Sequence, residues 1–368
     1  MMRRVLGVVA ALALLGWVAY ALIPGDEHPP PPKTVTINGL IGSEKRAFFD
    51  DPDVKAELAK QGLVVNADST GSWTMREQAK ATPEKFDFAF PASGEAASAV
   101  KQAWSLQDSP VVPFYSPVVI LTHSGAAQVL AKAGLAVKDE ANGGVWKFKM
   151  DAYVAALGQK TAWESMNGSS NNPDLKGPVL VATTDPESSS SGAMYLALLS
   201  YTANDHRVVA DDAAVAKVTD VLFAATNPQG AQKSSTDELF RDFTANVGRP
   251  LVFGYESQVA QLQLQGLNTN DTVVMYPDTT VQSDHTLVGR TEAGRKLGTV
   301  LRDDDALVDL EAKYGFRVQK HPEVFGKQTE GRQPSLAKNL QAVNVGQAPV
   351  PSMEFQKKLN NSAKKGTK

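Results

Sequence analysis

One segment, residues 179–201, constrains the fold of this chain more than any other. It reads VLVATTDPESSSSGAMYLALLSY. Residues 179–182 have the pattern of a buried strand, 183–192 form a turn with six hydroxyl side chains, and 193–201 continue as an apolar helix. The first turn of a helix has unpartnered backbone N–H groups and a partial positive charge, so this turn is suited to hold an anion. The alternative interpretation is an ordinary N-cap with a flexible serine loop.

Hydroxyl-bearing turns between a predicted strand and a predicted helix recur along the chain. The candidate ligand-binding residues in these turns are Ser43, Ser69, Thr70, Ser72, Ser93, Ser189, Ser190, Ser191 and Tyr255. In a parallel α/β sheet, such turns all lie at the carboxyl ends of strands, which is where ligands bind. We therefore expect one shared cleft, lined by turns from both halves of the chain.

The order of the predicted elements indicates an α/β fold. Strands at 34–40, 63–67 and 86–90 alternate with helical patterns through short turns, which is typical of a parallel sheet flanked by helices. A second α/β section extends from 128 to about 265, and the length of 368 residues favours two domains or one two-lobed unit. The polar, aperiodic stretch at 327–368 predicts a disordered tail.

Composition and motifs argue against several classes of function. The formal net charge of -3 and the lack of a long basic stripe argue against nucleic-acid binding. The chain has no cysteine, so neither a disulfide nor a cysteine-linked lipid anchor is available. The five histidines lack metal-ligand spacing, and we expect no metal and no cofactor. The G-x-S-x-G pattern fails around Ser124, and an S-x-x-K match at 98–101 has no K-T-G partner, so we expect no enzyme.

The first 32 residues are predicted to direct export. Two arginines precede an uncharged apolar run at 5–23, which is long for a signal-peptide core and about long enough to span a bilayer. A small-x-small pair at 19–21 is a candidate signal-peptidase cleavage site, so residues 1–32 are either a signal peptide or a membrane anchor. The four prolines at 29–32 predict a stiff polyproline stalk. Because the arginines precede the apolar run, the body should be extracytoplasmic, in the periplasm or at the cell surface, whether anchored or secreted.

Seven short motifs carry a resemblance to a known family. They are IGSEK at 41–45, DSTGSWTM at 68–75, FAFPASGEA at 88–96, SPVVIL at 116–121, SSSSG at 188–192, FGYESQ at 253–258 and VVMYPD at 273–278. In order and spacing they resemble the solute-binding proteins of ABC importers. The resemblance is to the type II periplasmic class, which includes molybdate, sulfate and phosphate binders.

The resemblance implies a two-lobed type II periplasmic-binding-protein fold. Each lobe should have a central, mostly parallel sheet flanked by helices. Two chain crossings should form the hinge, near 115–117 and near 267–272. Lobe 1 is then predicted to comprise 33–115 with 270–326, and lobe 2 to comprise 116–269.

The resemblance also implies a function, namely that of an extracytoplasmic protein that captures a small polar or anionic solute between its lobes. An oxyanion is favoured as the solute, and an ABC-type permease is the implied partner. Ser116, which begins the fourth motif, joins the candidate ligand-binding residues. The alternative is a membrane-tethered binding or sensing module with a protein partner and no transport role. The chain departs from the family in lacking a lipidated cysteine, and no turn carries a buried arginine or carboxylate that would name the solute.

Overall fold

The structure, a computed structural model, describes residues 34–267, 269, 271–341 and 343–366. The strands are β1 (Val35–Ile41), β2 (Leu63–Ser69), β3 (Phe88–Phe90), β4 (Val111–His123), β5 (Ala136–Asp139), β6 (Val145–Phe148), β7 (Val181–Ala182), β8 (Leu251–Tyr255), β9 (Thr272–Pro277), β10 (Thr279–Thr280), β11 (Gln282–Gly289), β12 (Arg317–Val318) and β13 (Gly346–Gln347). The helices are α1 (Arg46–Asp50), α2 (Pro52–Lys60), α3 (Ser72–Ala81), α4 (Gly94–Ala103), α5 (Ser124–Lys132), α6 (Met150–Gly158), α7 (Ser190–Ala203), α8 (Asp212–Thr226), α9 (Thr236–Thr244), α10 (Glu256–Leu264), α11 (Glu292–Asp303), α12 (Asp305–Lys313), α13 (Pro322–Thr329) and α14 (Met353–Lys365).

The predicted export segment at 1–32 lies outside the described residues. In the part of the chain that is described, no helix has both the length and the apolar character needed to cross a bilayer.

Capping residues define where several helices begin. The Asp51 carboxylate accepts hydrogen bonds from the backbone N–H groups of Asp53 and Val54, at 2.6 and 3.2 Å, and a proline occupies the first position of α2. The Thr291 hydroxyl accepts from the Gly294 N–H at 3.1 Å and begins α11 in the same way. Such caps satisfy N–H groups that have no partner within the helix, so the local sequence fixes the helix start.

One long strand, β4, holds the main sheet together. Its first part pairs antiparallel with β11, and its second part pairs antiparallel with both β8 and β9. Strand β1 pairs in parallel with β2 and β3, and β3 pairs antiparallel with β11. The pairs β6–β9 and β7–β8 are parallel, whereas β5–β6 is antiparallel. The α/β class is confirmed, and the sheet in the second half is mixed rather than mostly parallel.

Two sets of buried apolar side chains define two lobes. The core of lobe 1 draws on residues 37–114 and 287–316. The core of lobe 2 draws on 118–281 and 325–363, with Ala92 of lobe 1 packed at its border. Within β4, Phe114 belongs to the first core and Val118 to the second, so the strand passes from one core to the other between these residues.

The second crossing lies later in the chain than the predicted 267–272. Strand β9 follows that segment but lies between β4 and β6, and it buries Val274 and Tyr276 in lobe 2. The chain returns to lobe 1 along β11, where Ser283 is opposite Ser116 of β4. Because the run VVMY is apolar throughout, both of its faces are buried inside the sheet. Residues 270–281 therefore belong to lobe 2.

The C-terminal region differs from the predicted disordered tail at 327–368. It contains α14, which packs against α7 and α8 and buries Leu359 and Ala363. The Thr226 hydroxyl of α8 donates to the Ala363 carbonyl at 2.6 Å. The apolar side chains of α14 are few, but they recur at intervals of four residues, so a polar composition hides one continuous apolar face.

A buried ion pair lies where lobe 2 meets the end of lobe 1. The Arg317 guanidinium donates to both carboxylate oxygens of Glu256, at 2.6 and 2.8 Å, and the two side chains are 3% and 0% exposed. The Tyr276 hydroxyl also donates to Glu256, and it accepts from the Ala337 N–H at 2.9 Å. The carboxylate therefore joins the start of α10 to β9, to β12 and to the C-terminal region.

We expect Arg317→Met to destabilise the protein by about 3–5 kcal/mol, because it leaves the Glu256 charge buried without its counter-ion. Urea unfolding followed by circular dichroism measures this change. The control is Arg302→Met, since Arg302 is 40% exposed and pairs with Asp303 on the surface. That variant should stay within about 0.5 kcal/mol of the original stability. A loss below about 1 kcal/mol in Arg317→Met would mean that the network does not depend on this pair.

Candidate functional site

The ends of the lobe 1 strands bring three predicted turns to one edge of the sheet. Ile41, the last residue of β1, is opposite Ser69 at the end of β2 and Phe90 at the end of β3. Because these strands are parallel and in this register, the turns that follow them lie side by side. They contain Ser43, Ser69, Thr70, Ser72 and Ser93.

Lobe 2 presents three segments to the same cleft. The serine turn, residues 183–189, follows β7 and leads into α7. Tyr255 ends β8 and caps α10, whose Gln258 side chain accepts from the Tyr255 N–H at 3.1 Å. A third segment, residues 234–236, begins α9, where the Ser235 hydroxyl accepts from the Asp237 N–H at 3.2 Å.

Direct hydrogen bonds join the two lobes across the cleft. The hydroxyls of Ser43 and Ser235 are 2.9 Å apart, and those of Ser93 and Ser190 are 3.2 Å apart. The backbone N–H of Trp73 donates to the Ser188 carbonyl at 3.2 Å. The structure therefore shows the lobes closed on each other.

A pocket of about 410 Å³, open to solvent on one side, lies between the lobes, and its volume is typical of a small-molecule site. Its lining residues are Gly42, Ser43, Glu44, Ser69, Thr70, Gly71, Ser72, Thr74, Ser188, Ser189, Ser234, Ser235, Thr236, Glu238 and Tyr255. Six of the predicted residues are among them, namely Ser43, Ser69, Thr70, Ser72, Ser189 and Tyr255. Within the described residues, the hydroxyls of Ser69 and Thr70 have no hydrogen-bond partner in the protein. They are free to bind a solute.

The other four predicted residues lie outside the pocket lining. Ser93 and Ser190 bond to each other between the lobes. Ser191 is fully buried, and its hydroxyl contacts three other hydroxyls, those of Thr184, Ser189 and Thr236, at 2.6, 3.1 and 2.7 Å. Ser116 is fully buried in β4, and its hydroxyl accepts from the Ser257 N–H at 3.1 Å. These hydroxyls already have partners in the protein.

Sequence reasoning missed the segment 234–238, which supplies four residues to the lining. The sequence KSSTDELF at 233–240 carries an N-cap signal, with hydroxyls before an acidic first turn. This segment does not follow a strand, so it lacks the strand–turn–helix pattern shared by the other turns. The cap signal, applied without the strand requirement, would have found it.

Glu44 was also missed, although it lies inside the first quoted motif. Its carboxylate is 6% exposed and forms an ion pair with the fully buried Lys45, whose ammonium is also 3.0 Å from His285 Nδ1. Burial lowers the pKa of Lys45, and the charge of Glu44 opposes that effect. Burial, and then Lys45, holds the pKa of His285 well below its usual value, so the ring is neutral and accepts at Nδ1. The pair keeps a carboxylate at the pocket wall.

A second cavity, of about 420 Å³, lies beside the cleft between α3 and α14. It contains none of the predicted residues. Its charged side chains are of both signs, and Arg76 pairs with its neighbour Glu77 at 2.9 Å. Four of the seven motifs, at 41–45, 68–75, 188–192 and 253–258, supply residues to the hydroxyl-lined pocket, and we take that pocket as the candidate site.

We expect Gly71→Ala to prevent full closure of the lobes. A Cβ at this position would lie 2.3 Å from the Ser188 carbonyl oxygen, which is backbone and cannot rotate away. The variant should have a larger radius of gyration in small-angle X-ray scattering. Its Trp73 amide should exchange hydrogen roughly tenfold faster or more, because its acceptor is displaced.

Gly94→Ala is the matched control, since a Cβ there meets nothing within 4 Å and the residue begins the helix after the neighbouring turn. It should leave both measurements unchanged. If Gly71→Ala also gave the original radius and exchange rate, the close approach of Gly71 and Ser188 would not exist in solution.

Comparison with known proteins gives a family-level match. The family described as bacterial extracellular solute-binding protein matches residues 54–317, which is more than half of the chain. No curated protein matches the chain in sequence.

Several solved structures share the architecture. Iron-bound HitA from Pseudomonas aeruginosa is 8% identical, with a TM-score of 0.57 over 90% of this chain and 99% of that one. An ABC transporter solute-binding protein from Thermotoga lettingae, bound with alpha-D-tagatose, is 13% identical, with a TM-score of 0.54 over 90% and 93%. The sulfate-binding protein SubI from Mycobacterium tuberculosis is 14% identical, with a TM-score of 0.51 over 86% and 93%. At these identities the similarity shows the two-lobed fold alone.

Proposed function

The chain belongs to the family of bacterial extracellular solute-binding proteins, and we propose that it binds its solute in the hydroxyl-lined pocket between lobes 1 and 2. One observation carries this proposal. Turns from both lobes, distant in sequence, converge on a single pocket and leave the Ser69 and Thr70 hydroxyls without partners in the described part of the protein. The proposal involves binding alone, with no covalent step.

The pocket supplies enough hydrogen-bond donors for useful affinity. Helices α3, α7, α9 and α10 all begin at or beside the pocket, and their first turns favour negative charge. A micromolar complex requires about 8 kcal/mol. Each hydrogen bond to a charged group contributes roughly 1.5–3 kcal/mol, and each helix N-terminus roughly 0.3–1 kcal/mol. The Ser69 and Thr70 hydroxyls together with the four helix first turns reach that order of magnitude.

We further propose that the solute carries an anionic group and is passed to an ABC-type permease. The hydroxyls and the helix first turns support the anionic group, and the order of the seven motifs supports the permease. The tethered module without a transport role is not favoured by the family. The export function of residues 1–32 stays a prediction. The segment is either a cleaved signal peptide or an uncleaved membrane anchor.

We expect a thermal-shift screen of the purified protein to find a ligand among small oxyanions, amino acids, polyamines and sugars. A ligand at 100 times its dissociation constant should add about 2.7 kcal/mol to the free energy of unfolding. The double variant Ser69→Ala, Thr70→Val should keep the stability of the unliganded protein and lose most of the shift, because those hydroxyls bind no protein group.

Thr299→Val is the control, because Thr299 is exposed on α11, away from the pocket. It should retain the full shift. A ligand whose shift is the same in the Ser69→Ala, Thr70→Val protein would bind elsewhere, and the pocket would lose its assignment.

A further inference from the structure

The pocket is lined by carboxylates as well as by hydroxyls. Two carboxylates line it, those of Glu44 and Glu238, and in the described part of the chain no lysine or arginine does. Building on the proposed function, we propose that the solute is a zwitterion. Its anionic group faces the hydroxyls and helix first turns, and its positively charged nitrogen faces Glu44 and Glu238.

Glu44 is built into the pocket wall rather than lying loosely on it. Its side chain is 6% exposed, and its Oε1 is held by Lys45. Its other oxygen, Oε2, has no hydrogen-bond partner within the described residues and remains free to accept. A Cβ on Gly42 would lie 2.3 Å from Oε1 and 2.5 Å from Oε2, so a glycine at this position lets the carboxylate fold back over its own turn.

Glu238 supplies a carboxylate that forms no ion pair among the described residues. Its one hydrogen bond in the described structure is from the Ser234 hydroxyl at 3.4 Å, and no basic side chain there lies within ion-pair distance. Its neighbour Asp237 has a raised pKa, first because it is buried and then because of the Glu44 charge. This side of the pocket therefore presents two carboxylates, of which Glu44 is paired with Lys45 and Glu238 has no ion-pair partner among the described residues.

Solutes of a single charge type leave one side of the pocket unmatched. A bare oxyanion would satisfy the hydroxyls but would face the unpaired Glu238 carboxylate at short range. A bare polyamine would satisfy the carboxylates but would leave several helix first turns pointing at positive charge. A zwitterion satisfies both sides, because each charged group gains hydrogen bonds from groups of the opposite polarity.

Matched pairs of small molecules test the proposal on the purified protein by calorimetry. The pairs are taurine with ethanesulfonate, β-alanine with propionate, and 2-aminoethylphosphonate with ethylphosphonate, so each pair differs only by an ammonium group. Inorganic phosphate, sulfate and putrescine complete the panel. We expect at least one zwitterion to bind roughly tenfold or more tightly than its partner, which corresponds to one well-placed charged hydrogen bond.

The variant Glu238→Gln tests whether the Glu238 carboxylate binds the ammonium group of the solute. It keeps the shape of the side chain, and it should lower the affinity for the zwitterion roughly tenfold while leaving the partner anion unchanged or tighter. Glu292→Gln is the control, since Glu292 also lies in the first turn of a helix, α11, but away from the pocket. Equal thermal stability of the two variants shows that folding is intact.

The results separate this proposal from the proposed function. If phosphate, sulfate or putrescine binds as tightly as the best zwitterion, or if no zwitterion binds, the zwitterion assignment is overturned. Suppose that phosphate, sulfate or putrescine binds and that its thermal shift is lost in the Ser69→Ala, Thr70→Val variant. The pocket is then still the binding site, and only the proposed class of solute is wrong. A zwitterion that binds equally well to Glu238→Gln also overturns the assignment.

Discussion

The two-lobed architecture depends on one strand, β4, which belongs to both lobes. Strand β4 places Phe114 in one core and Val118 in the other, and β11 runs beside it in the opposite direction. Lobe 1 pairs β11 with the first part of β4, and lobe 2 pairs β8 and β9 with the second part. The lining turns that hold Ser43, Thr70, Ser189 and Tyr255 follow strands of the sheet that contains β4, and their convergence is a consequence of that shared sheet.

The serine turn is supported from behind by a part of the chain far away in sequence. Gln356 of α14 donates to the Ala193 carbonyl at 3.3 Å, Asn360 donates to the Pro186 carbonyl at 3.2 Å, and Lys364 pairs with Glu187 at 2.6 Å. The hydroxyl cluster around Ser191 fixes the turn from within. The turn that looks like a flexible serine loop in the sequence is therefore held on both sides, and its hydroxyls are pre-organised before a solute arrives.

The local part of this architecture could be predicted from sequence, and the non-local part could not. Strand, hydroxyl turn and helix follow each other within a few residues, so Ser43, Thr70 and Ser189 were found from their neighbours alone. The placement of β9 depends on which strands lie beside it, which no local pattern specifies. Ser191 has the same sequence signal as Ser189, but packing turns its hydroxyl towards Thr236 and Thr184, and a side chain's direction within a serine run cannot be read from composition.

The Glu44 carboxylate at the pocket is connected to strand β11 through a short chain of contacts. Glu44 stands at the pocket wall, Lys45 binds it from the buried side, and the same ammonium meets His285 of β11. Because Lys45 is fully buried, its charge requires both partners, and a carboxylate displaced from the wall would leave an ammonium uncompensated in the core. The geometry of the carboxylate is therefore set by the packing around β11 and not by the exposed turn that carries it. A carboxylate placed in this way is held rigidly at the pocket wall, and rigid placement of a charge favours specificity over affinity in binding.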